Sequence, residues 1–120
     1  MRKASQALLS AEQLLKNNDT DGACNRAYYA MFDAAQAALL SINHGNTFVA
    51  PKTHRGLIAA FGQQLVLGGH LEPELGATFN KVERLRLLAD YTGDPVNHED
   101  CAWAVGEALT FVSTIQKAFG

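Results

Sequence analysis

Apolar residues recur at steps of three and four along almost the whole chain. The first set is Ala4, Ala7, Leu8, Ala11, Leu14 and Leu15, the spacing that lays one apolar stripe along an α-helix. The run NNDTDG (17–22) then stops this helix and supplies capping side chains for the next. A second helix is expected over about 21 to 43, followed by a loop, NHGNTFVAP (43–51), that ends at Pro51. THRGLIAAFGQQLVL (53–67) reads as a shorter third helix closed by Gly68 and Gly69, and is weakened by Gly56 and Gly62. A fourth begins near Leu71, with Glu72, Pro73 and Glu74 suited to a first turn, and carries Leu75, Phe79, Val82, Leu85 and Ala89 as far as TGDP (92–95). The fifth starts at an N-cap Asn97 and carries Ala104, Ala108, Phe111, Val112, Ile115 and Phe119. No segment sustains a period of two between turns, so no sheet is expected. The pattern predicts an all-α, up-and-down bundle of about five helices, one domain over 1–120.

Composition narrows the function classes. With 120 residues, 48% hydrophobic and 18% charged, a single modest core is the expectation. A net charge of -2 without a like-charge run excludes a chain that coats nucleic acid, so any RNA contact has to be local. No window reaches the roughly 18 apolar residues of a membrane span and no signal pattern opens the chain, so a cytoplasmic protein is expected. Cys24 and Cys101 each fall within an apolar helical pattern and read as reduced, buried, small side chains. His44, His54, His70 and His98 show no paired ligand spacing, so neither a metal nor a cofactor is expected.

Two helices carry polar residues where apolar ones would serve. On the second, Ala23, Ala27, Ala30, Ala34, Ala37 and Ser41 form a narrow seam of small side chains that lets a neighbouring helix approach closely. Asn25, Tyr29, Asp33 and Gln36 form a polar stripe beside it, with Arg26 near Tyr29 and Asp33. Such a stripe suits a solvated surface, a polar cleft or a wet interface. On the fourth, RLRLLADY (84–91) places Arg86 on the line of Phe79 and Val82, with Asp90 one turn on. A partly buried guanidinium needs partners, and Asp90, Tyr91 or the stripe on the second helix are available. The reading is one polar site between the two helices, built from Arg26, Tyr29, Asp33, Arg86, Asp90 and Tyr91. An internal Arg and Asp pair tying the helices together fits the same spacing. Trp103 reads as core or dimer-interface packing.

NRAYYAMFDAAQAALL (25–40), KTHRGLIAAFG (52–62) and RLLADY (86–91), in this order and spacing, resemble the HEPN domain family, in its branch of small stand-alone prokaryotic proteins. The resemblance implies a bundle of about five helices and a homodimer. It also implies membership of a toxin and antitoxin or phage-defence pair, often beside a minimal nucleotidyltransferase. Many members are metal-independent RNases whose catalytic motif is an Arg followed about four to six residues later by a His at the dimer cleft. Arg84 and Arg86 occupy the corresponding region, but Asp90 stands where the His would follow. Taking a proton from a 2′-hydroxyl and returning one to the leaving oxygen calls for a group titrating near neutrality, which His provides and a carboxylate paired to Arg does not. The expectation is therefore a dimeric component that binds RNA, nucleotide or a partner through a degenerate motif. The alternatives are an active RNase that draws on His54 from elsewhere in the fold or dimer, and a structural subunit that positions a nucleotidyltransferase.

Overall fold

The computed structural model describes residues 1–43 and 49–119. Most of the loop expected at 43–51, with His44, lies outside the described residues. Among the described residues five α-helices run in the expected order: α1 Arg2–Lys16, α2 Thr20–Ile42, α3 His54–Ala60, α4 Pro73–Thr92 and α5 His98–Phe119. No strand occurs among the described residues.

Local chemistry sets the ends. Asp19 caps α2 by accepting from the Gly22 amide at 2.9 Å, and Thr53 caps α3 by accepting from the Gly56 amide at 3.1 Å. Pro73 opens α4, and Gly93, at φ 75°, closes it in the left-handed region where glycine carries no steric penalty. Asn97 accepts from the Asp100 amide at 2.8 Å and starts α5. The Asp21 carboxylate takes the Val96 amide at 2.8 Å, which fastens the α4–α5 connection to the first turn of α2.

The alanine seam sits at the centre of the molecule. Ala23, Ala27, Ala30 and Ala34 are fully buried, as are Ala4, Ala7 and Ala11 of α1 and Ala104 and Ala108 of α5. The most extensive contacts of α2 are with α1 and α5, and small residues on all three let their axes approach at the short end of the 8–10 Å range. These positions are filled inside the chain and offer no surface to a second copy, whereas Ala37, half-buried, and Ser41, exposed, lie beyond the packed part of the expected seam. Aromatic residues fill the wider half. Phe61 stacks on Phe111 at 5.3 Å, with the rings inclined by 27°, and meets Phe79 edge-on at 5.6 Å.

The third helix departs from the expected regular form, continuing from α3 as a π-helical segment, Phe61–Val66. The buried residues Leu57, Phe61 and Leu65 are spaced by fours. An α-helix advances 100° per residue, so two such steps drift by about 80°. The wider π turn rotates less per residue and brings Leu65 back to the face of Leu57 and Phe61. Trp103 also differs from the core alternative, since 40% of it is exposed on α5.

Candidate functional site

Arg84 and Arg86 are two residues apart on α4, about 200° around the helix, and they meet opposite environments. Arg86 turns inward and is 13% exposed. Its guanidinium lies over the Tyr28 ring, 4.6 Å from the centroid, and 5.9 Å from that of Tyr29, within the range of a cation–π attraction. Glu83 holds it at 3.2 Å. Asp90, the partner expected from spacing, is longer at 3.8 Å and is itself 73% exposed, so it contributes little by comparison. The Nε atom of Arg86 is buried and has no hydrogen-bond partner.

Tyr28 links this arginine to a histidine. Its hydroxyl and Nδ1 of His54, the first residue of α3, are hydrogen-bonded at 2.8 Å. The hydroxyl donates when Nδ1 is bare, and accepts when Nδ1 carries the proton. Burial, reinforced by the Glu83 carboxylate, pushes the phenol of Tyr28 well above its ordinary range, so it remains a hydroxyl at any ordinary pH. His54 also packs against Tyr29 and Phe32, at 5.8 and 5.3 Å between ring centroids. Arg86, Tyr28 and His54 therefore form a continuous chain from α4 through α2 to α3, with Nδ1 of the imidazole committed to the tyrosine.

The other expected residues divide. Tyr29 lies between two guanidiniums, Arg26 at 6.0 Å and Arg86 at 5.9 Å. Asp33 faces α1: burial raises its carboxyl pKa, while Lys3 and then Arg26 act in the opposite direction. Tyr91 is 89% exposed; at five residues from Arg86 it is about 140° away around α4. The structure thus gathers Arg26, Tyr29, Arg86 and, loosely, Asp90; Asp33 adjoins the group only through the field of Arg26, and Tyr91 lies outside it. Tyr28 and Glu83 belong to it although the sequence reading passed over both. Signals for them existed: Tyr28 falls on the line of Cys24, Met31, Phe32 and Ala35, and Glu83 precedes Arg86 by three residues.

Among the described residues, two of the open clefts along α4 are bordered by arginines. One, of about 390 Å³, is bordered by Asp21, Asn25, Arg86 and Asp90 and carries more negative than positive charge. The other, of about 790 Å³, lies between α4 and the α3–π segment and is bordered by Arg55 and Arg84. Neither of these arginines has an ion-pair partner among the described residues. No cluster of residues able to hold a metal ion occurs among the described residues. Cys24 and Cys101 are buried free thiols. Burial and then Cys101 push Cys24 up to about 12, which leaves it unreactive. No helix among the described residues is long and apolar enough to cross a membrane.

A five-helix bundle with a tyrosine-bearing α2 clasping an α4 arginine defines a small helical domain built around one interhelical polar site. The chain belongs to the HEPN domain family, whose sequence model matches residues 1–118. It is 38% identical over 115 residues to a protein of Methanocaldococcus jannaschii named "Putative toxin MJ0605", covering 96% of this chain and 82% of that one. It is 37% identical over 119 residues to a UPF0332 protein of Thermotoga maritima (97% and 85% covered). A UPF0332 protein of Gloeobacter violaceus is 40% identical over 93 residues (78% and 70% covered).

Proposed function

We propose that this chain is the toxin-type component of a two-protein module and acts as a homodimer that binds RNA or nucleotide without cutting it efficiently. The observation that carries this reading is the state of Arg86. Glu83 and the Tyr28 ring hold it, Asp90 lies 3.8 Å from it, and the adjoining cleft is net acidic, so this arginine is poorly placed to receive a phosphate. The word toxin in the names of two relatives, at 38% and 26% identity, supports the module. A minimal nucleotidyltransferase is the partner proposed for it, and the cytoplasm the compartment.

The test is cleavage of a single-stranded RNA in the presence of chelator. The natural protein is expected to cut little, and Asp90→His to gain activity by placing an imidazole four residues after Arg86 and six after Arg84. Light scattering should give about twice the 12.9 kDa chain mass. A second reading, an active RNase, has one observation in its favour: His54 is oriented by Tyr28 within the aromatic cluster that holds Arg86. Metal-independent cleavage by the natural protein, lost in His54→Ala and in Arg86→Ala or Arg84→Ala, would establish that reading instead.

A further inference from the structure

We infer that the cleft between α4 and the α3–π segment is a nucleoside-phosphate site, with Arg55 and Arg84 taking the phosphate and the Gly62 floor leaving room for the sugar and base. This inference rests on the proposal that the chain binds RNA or nucleotide, and it relocates that binding from Arg86 to the opposite side of α4.

Four observations support it. The cleft, about 790 Å³, lies within the 300–1,000 Å³ typical of small-molecule sites and suits one nucleotide unit. Its two guanidiniums come from different elements, Arg55 from α3 and Arg84 from α4, and both are exposed. Among the described residues neither is neutralised by a carboxylate, so their planar donor forks are available to phosphate oxygens. Glu83, which also borders the cleft, is engaged by Arg86 at 3.2 Å. The remaining border combines the amide of Gln63 with the aliphatic side chains of Leu67 and Leu87. Leu67 is 83% exposed, and these groups offer a hydrogen-bonding edge and an apolar face to a base.

The local backbone supplies an independent indication. π turns occur frequently at functional sites, and this one contributes Gly62 and Gln63 to the cleft wall. A Cβ built at Gly62 meets nothing within 4 Å. A larger side chain at this position would therefore project into the cleft without striking the fold.

The site takes a nucleoside phosphate either as a free nucleotide or as a unit of an RNA strand. The experiment measures fluorescence polarisation of a labelled ten-nucleotide single-stranded RNA, with unlabelled AMP and ATP as competitors, across a salt series. The natural protein should bind. Arg55→Gln and Arg84→Gln should each weaken binding about tenfold and reduce the salt slope by about one. Gly62→Met should weaken it at least as much with all charges intact, and Arg55→Lys should recover part of the loss. Arg84→Gln and Gly62→Met are checked by circular dichroism and melting before use, and the arginine pair decides the matter if Gly62→Met is unfolded.

Displacement by AMP at concentrations near its own Kd assigns the free nucleotide. Resistance to AMP and ATP with retained sensitivity to the variants assigns the strand. Binding unchanged in the Arg55→Gln, Arg84→Gln double variant overturns the site while leaving the RNA-binding reading standing. Absence of binding by the natural protein overturns both. Equal competition by polyglutamate at matched charge overturns the assignment to nucleoside phosphate in favour of an acidic protein segment.

Discussion

Arg84 and Arg86 share a helix, a residue type and a turn, yet one is a surface cation and the other is part of the packing. Arg86 is enclosed by Tyr28, Glu83 and, weakly, Asp90, whereas Arg84 looks across an open cleft towards the element that carries Arg55. The difference teaches that an arginine's role depends on the carboxylates and aromatic faces within reach of it. A partnered guanidinium stabilises the fold, and an unpartnered one remains available to an anion.

The strongest way to break this contrast is to remove each arginine in turn and measure unfolding in urea. Arg86→Ala should cost about 2–3 kcal/mol, because it strips Tyr28 of its cation and leaves Glu83 partly buried and unpaired. Arg84→Ala should stay within about 0.5 kcal/mol of the natural protein. Equal losses would mean that the two arginines are not distinguished by their partners. Asp90→Asn should fall near the Arg84 value, since its ion pair is long and exposed.

A smaller effect tests the link from Tyr28 to α3. Tyr28→Phe keeps the ring under Arg86 and removes the hydroxyl, so the part-buried Nδ1 of His54 loses its partner. The expected cost is about 1 kcal/mol. In addition, the His54 ring resonances should broaden or shift as the imidazole gains freedom. A variant as stable as the natural protein, with unchanged His54 resonances, would separate the histidine from the Arg86 cluster.

On the open side, Gly62→Ala should stabilise the chain by about 0.4–1 kcal/mol, because the added methyl group meets nothing and the unfolded chain loses freedom. A loss of stability would show that the π segment requires glycine at this position.

The smallest effect concerns Asp33. Its folded pKa is raised, chiefly by burial, so its ionised form is disfavoured in the native state. This penalty is present above its folded pKa and is relieved as pH falls through that value. Asp33→Asn should therefore be slightly more stable than the natural protein near neutrality, and the advantage should shrink on acidification. An advantage that grows on acidification would contradict the direction of the shift.

Most of the fold was legible because it follows from spacing and caps. Asp19, Thr53, Pro73, Gly93 and Asn97 mark boundaries in the sequence and perform those roles in the structure. The alanine seam was legible for the same reason, since small residues at steps of three and four permit close approach wherever a partner helix lies. The polar site was legible only in outline. The sequence named Arg86 and Tyr29, but Tyr28 was hidden by its own burial, because a tyrosine on an apolar line reads as packing. Spacing alone offers Arg86 both Glu83 and Asp90, and only the way α4 lies against α2 decides that Glu83 is enclosed and Asp90 is left in solvent. Tyr91 could have been set aside from helical geometry. The π turn could not be read with assurance, because a run of fours is also compatible with a drifting α-helix.

That π turn carries one residue more than an α-helical path along the same face would need, which has a consequence for how the gene tolerates change in length. Loss of a single residue between 61 and 66 would let the segment close with regular α-helical bonds and preserve helicity. Leu65 would then stand three residues after Phe61 instead of four, which is the regular α-helical spacing for that face, so whatever followed would keep its phase. Insertions at the exposed Gly68 and Gly69 turn leave the Leu57, Phe61 and Leu65 line untouched. Among relatives of this chain, length variation should therefore collect at that turn, and within the six residues before Leu67 it should be limited to the loss of a single residue.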